Sequence, residues 1–236
     1  MVTLVQIVSA AAGFGPSIVL LYFTLRDYTT PKVSLPFFDD TKIFKFFALG
    51  VVLGMAIYAF EEWGRTVSGD VLIAAVLLFA IMESLLKLII LNFPRFQRRV
   101  DTAFCGVALG LGMACTFTFA SVYVSLLSVE NPGMAEMTIF SLIGVQLVLL
   151  HGSTTTMIGI GVVRGEVRDY FFLAFLVHLS YSLLMIPFFQ LGAPWNYMGV
   201  GAASMAVVYA YVRVVRTSLP ALIADAKRLS QKKRKR

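Results

Sequence analysis

Apolar runs of about twenty residues recur from one end of the chain to the other, with polar residues confined to short breaks between them. Crossing ~30 Å of hydrocarbon takes about 20 helical residues at a rise of ~1.5 Å each. The pattern predicts seven such helices, at residues 3–25, 43–63, 71–93, 103–128, 136–163, 170–191 and 196–216. The expected fold class is therefore all-α: a polytopic membrane protein with seven transmembrane helices over 1–216 and a basic tail over 217–236. Composition agrees, with 58% hydrophobic residues, 14% charged residues and a mean hydropathy of +0.83. A soluble domain carries about 25% charged residues, so none is expected inside this chain.

The charges in the breaks alternate. Arg26, Lys32, Lys42 and Lys45 follow the first span; Arg95, Arg98 and Arg99 follow the third; Arg164 and Arg168 follow the fifth. Lys227, Arg228, Lys232, Lys233, Arg234, Lys235 and Arg236 lie in the tail. The opposite breaks hold only Arg65 among the acids Glu61, Glu62, Asp70, Glu130 and Glu136. Basic loops stay inside, which predicts an outside N-terminus and a cytoplasmic C-terminus, as an odd number of spans requires. The net charge of +7 is mostly this topology signal. The tail is expected to meet anionic lipid headgroups and not nucleic acid, since no aromatic residues are interleaved with its charges. The multi-pass chain would sit in the endomembrane system or plasma membrane of a eukaryote, or the cell membrane of a prokaryote.

Several features depart from plain hydrophobicity. Gly13-Phe14-Gly15-Pro16-Ser17 is expected to bend or loosen the first helix, because proline frees a backbone carbonyl. Pro31 and Pro36 predict an irregular loop after it. Gly106, Gly110 and Ala114 form a small-residue ladder in the fourth span, and Gly50 and Gly54 a pair in the second. Such ladders let another backbone approach closely, within the chain or from a partner. Cys105 and Cys115 lie about 15 Å apart along one helix and cannot bridge to each other.

The most informative departures are Glu83, His151 and His178. Each lies in a different apolar helix, about 13–18 Å by helical rise from its basic end. The two histidines are the only ones in the chain. Ionisable groups at membrane depth are costly and face a bundle interior or a site, so three at one level predict a buried cluster. Lys87 lies four residues after Glu83, on the same helix face and in the favourable order. It could pair with the acid or snorkel to the inner interface. Two histidines and a carboxylate could bind zinc or activate water for peptide hydrolysis. HExxH and HxxE spacings are absent, and no Asn or Arg lies at this depth to serve an oxyanion. No cofactor or metal is expected.

These residues carry a resemblance. Phe14-Gly15-Pro16, Glu83, Gly106, Gly110, Leu149-Leu150-His151, Val177-His178-Leu179 and Pro194-Trp195 occur in an order that resembles the anterior pharynx-defective family. That family provides the seven-helix scaffold subunit of γ-secretase. The resemblance covers nearly the whole chain, with Ala114 standing where the ladder's third glycine would be. It implies a non-catalytic subunit, whose partners would be a presenilin-like aspartyl protease, a nicastrin-like glycoprotein and a small presenilin-enhancer subunit. The chain is also similar, more distantly, to PrsW and CAAX-type glutamate intramembrane proteases, which implies Glu83, His151 and His178 as alternative catalytic residues. It departs from their pattern at three places. Ser84 replaces the second glutamate, Phe117-Thr118 the acid of the next helix, and Ser182 the final Asn or Asp.

Overall fold

The computed structural model describes residues 2–33, 36–68 and 72–234, and among them seven helices are long and apolar enough to cross a membrane. In chain order, α1 spans Val2–Leu25, α2 Asp40–Ser68, α3 Leu72–Leu91 and α4 Asp101–Leu127. α5 spans Met134–Arg164, α6 Val167–Gln190 and α7 Trp195–Arg213, and α8 spans Leu219–Arg234. The described residues contain no strand. Asp70, Lys235 and Arg236, used above to read orientation, lie outside the described residues, as do the side chains of Arg65, Lys232, Lys233 and Arg234.

α4 is the axis of the bundle. Of its most apolar stretch, 94% is buried, against 22–44% for the other six spans, because α1, α2 and α5 all pack on it. Small residues permit this. A Cβ added at Gly110 would meet the His151 carbonyl at 2.5 Å and the Thr155 Cβ at 2.8 Å, and one at Gly106 the Thr155 carbonyl at 2.9 Å. The ladder is thus occupied by α5 of the same chain, and Ala114 is buried beside it with Val107, Leu111 and Val148. Gly50 and Gly54 place α2 against the Leu109 and Met113 carbonyls on another face of α4. The Thr116 hydroxyl seals that contact, donating to the Val51 carbonyl at 2.6 Å.

α1 runs through Pro16 as one uninterrupted helix. The segment after it is irregular but packed: Phe38 and Tyr28 both lie against Phe104, with ring centroids 5.0 and 5.1 Å away. The basic connections gather at one end of the bundle. Lys42 pairs with Asp101 at 2.6 Å, the Arg98 amide donates to the Val162 carbonyl, Arg164 reaches Asp225 at 3.5 Å, and Lys227 lies over the Phe37 ring.

The chain does not break after residue 216. A π-helical turn, Val214–Ser218, joins α7 to α8, and the Leu219 amide donates five residues back to Val214. A proline within a helix lacks the amide that would close the preceding turn, and the widened turn sits directly before Pro220. Leu219, Leu222 and Ile223 then bury an apolar stripe against the bundle, so the start of the tail is part of the packed structure.

Candidate functional site: a buried ionic cluster

Along α3 the buried positions are Ala80, Glu83, Ser84, Lys87 and Leu91, while Ile73, Leu77, Leu78, Ile81, Leu85 and Ile89 are exposed. Spacings of three and four residues make one helical stripe. The polar stripe faces inward and the apolar surface outward, which suits a helix with protein on one side and lipid on the other. α6 follows the same rule: Ala174, His178, Tyr181 and Met185 form its buried stripe. α5 is buried continuously from Gln146 to Val162 except at partly exposed Leu149, so His151 is enclosed whichever way it points.

The structure brings Glu83, Lys87, His151 and His178 together. The Glu83 Oε1 lies 2.6 Å from the Lys87 ammonium and 2.8 Å from His151 Nδ1, and its Oε2 lies 3.4 Å from His178 Nε2. Glu83 and Lys87 are fully buried and His151 is 1% exposed. Three helices therefore converge on one carboxylate. One acid and one base thus lie side by side at the centre of the cluster, with both imidazoles against the carboxylate.

Lys87 turns inward and does not snorkel. Helical side chains lean toward the N-terminus of their own helix, which here points away from the basic end and directly at Glu83. A second oxygen completes its shell. The ammonium donates to Thr154 Oγ1 at 3.1 Å, and that hydroxyl donates to the Leu150 carbonyl at 2.8 Å. Thr154 belongs to the hydroxylated run Ser153-Thr154-Thr155-Thr156, and nothing in the sequence sets it apart from its neighbours. Its i−4 bond to the helix backbone is what leaves a lone pair for Lys87.

The three departures from the glutamate-protease pattern have structural counterparts. Ser84 donates to the Ala80 carbonyl at 2.8 Å and Ser182 to the His178 carbonyl at 3.1 Å, so both hydroxyls serve their own helices. At the position where an acid would stand, the Phe117 ring packs 5.0 Å from the His151 ring. Thr118 Oγ1 is buried without a hydrogen-bond partner, as are Thr155 Oγ1, His151 Nε2 and His178 Nδ1. His151 Nδ1 meets Glu83 Oε1 directly at 2.8 Å, and the Lys87 ammonium holds the same oxygen at 2.6 Å, so that oxygen is already shared by two partners. Among the described residues, no three His, Cys, Asp or Glu side chains are arranged to hold a metal ion. Cys105 and Cys115 are both free and buried.

Compared with known proteins, the chain matches no family model, no curated protein and no solved structure.

Proposed function

We propose that this chain is a non-catalytic scaffold subunit of a presenilin-type intramembrane aspartyl protease complex, with its N-terminus outside and its C-terminus in the cytoplasm. The observation that carries the non-catalytic part is the closure of Glu83. A general base must reach water and substrate, whereas this carboxylate is held by an ammonium at 2.6 Å and is fully buried. The groups that would complete an active site are spent on local helix carbonyls or replaced by the Phe117 ring. The partner class rests on the family resemblance. Because the glycine ladder is consumed inside the chain, partner helices would meet the apolar outer faces of the bundle, where Val52, Ile73 and Met205 are exposed.

Purification of the tagged chain from its native membrane tests this reading. A presenilin-like aspartyl protease should co-purify in fixed stoichiometry, with activity that disappears when the chain is depleted. A chain that purifies without any such protease would contradict it.

One observation favours a second reading, a PrsW-like glutamate endopeptidase. His151 Nε2 and His178 Nδ1 are buried without hydrogen-bond partners, a costly state that active sites retain for use with substrate or water.

A further inference from the structure

A second polar feature lies at the basic end, apart from the ionic cluster. The start of α2, the end of α3 and the connection to α4 enclose a cleft of about 620 Å³. Its rim carries Lys42, Lys45, Arg95 and Arg99. Among the described residues one carboxylate pairs with these four bases: Asp101 takes Lys42 at 2.6 Å and Arg99 at 3.2 Å. Lys45 and Arg95 are exposed and meet no acid among the described residues, so the rim keeps an excess of positive charge. The Phe96 ring organises it, with the Arg95 guanidinium 4.6 Å and the Lys42 ammonium 5.1 Å from its centroid. Cations held over a ring are restrained before any ligand arrives.

The floor is of opposite chemistry. Leu49 lies one helical turn beyond Lys45 on α2, about 6 Å deeper along the axis, and Ile90 lines the facing side on α3. Charge at the rim and hydrocarbon one turn below is the order of a lipid monolayer. A free phosphate would use only the rim and a neutral lipid only the floor.

We propose that this cleft binds one anionic phospholipid, its phosphate at Lys45 and Arg95 and an acyl chain along Leu49 and Ile90. Basic pockets between transmembrane helices on the cytoplasmic side take anionic headgroups in this way, each lysine or arginine contributing about a fivefold preference.

Native mass spectrometry of the full chain, titrated with phosphatidylglycerol and with phosphatidylcholine of the same acyl chains, tests the site. Phosphatidylglycerol should be retained at least about tenfold more strongly, and Lys45→Gln with Arg95→Gln should lower its retention about 25-fold at two charges of about fivefold each. Lys232→Gln with Lys233→Gln, in the tail, should leave it nearly unchanged. Equal retention of the two lipids by the unmodified chain would overturn the proposal, and that comparison needs no variant to fold. So would loss of retention only in the tail variant, or displacement of the lipid by equimolar glycerol phosphate.

Discussion

Lys87→Met should destabilise the protein by about 3–5 kcal/mol, because it strands a buried carboxylate without its compensating charge. The substitution shortens the side chain by one atom and keeps an unbranched apolar stem. What disappears is the ammonium 2.6 Å from Glu83 and 3.1 Å from the Thr154 hydroxyl. The asymmetry between breaking a pair and deleting it makes the test sharp. Removing both charges, as Glu83→Gln with Lys87→Met, should recover most of the loss, since a neutral buried pair carries a far smaller desolvation cost. Equilibrium unfolding of the chain in detergent micelles reads both. If the double variant is as unstable as Lys87→Met alone, the stranded Glu83 charge is not the source of the loss.

The second large effect belongs to the helix interfaces. Gly110→Val should cost about 1–3 kcal/mol or more, the range for overpacking a tight contact. The added Cβ falls 2.5 Å from the His151 carbonyl, and backbone cannot swing aside as a side chain can. α4 and α5 must separate, and His151 moves with α5. The lesion at the ladder should therefore also disturb the contact between His151 and Glu83. Gly15→Ala supplies the control within a membrane helix. Nothing lies within 4 Å of a Cβ at Gly15, so that substitution should be neutral or stabilising by up to about 1 kcal/mol through helix propensity. Thermal unfolding of the two variants side by side should give shifts of opposite sign, or one large loss and no change. Equal losses would mean that close backbone approach at Gly110 is not what sets the interface.

The number and order of the membrane helices were legible because each apolar run is long and the breaks between runs are polar. Glu83, His151 and His178 were legible for the complementary reason: an ionisable group in hydrocarbon is conspicuous against leucine and valine. Three things were not. The Gly106–Gly110 ladder shows that a backbone approaches but not whose it is, and the answer is α5 of the same chain. The direction of Lys87 depended on the lean of helical side chains and on Thr154, which lies 67 residues away in sequence. The start of α8 was hidden by Pro220 and by the charges after it. Its stripe of Leu219, Leu222 and Ile223 has helical spacing but is too short to stand out beside seven membrane spans.

On the proposed reading, the cluster around Glu83 holds helices together and does not cut peptide bonds. The purified chain, reconstituted alone in bilayers with a membrane-anchored reporter peptide, tests it most directly. No cleavage above the level of empty bilayers is expected, for the unmodified chain and for Glu83→Gln alike. Cleavage by the unmodified chain that Glu83→Gln abolishes, with the variant still folded, would contradict it and make Glu83 a catalytic base.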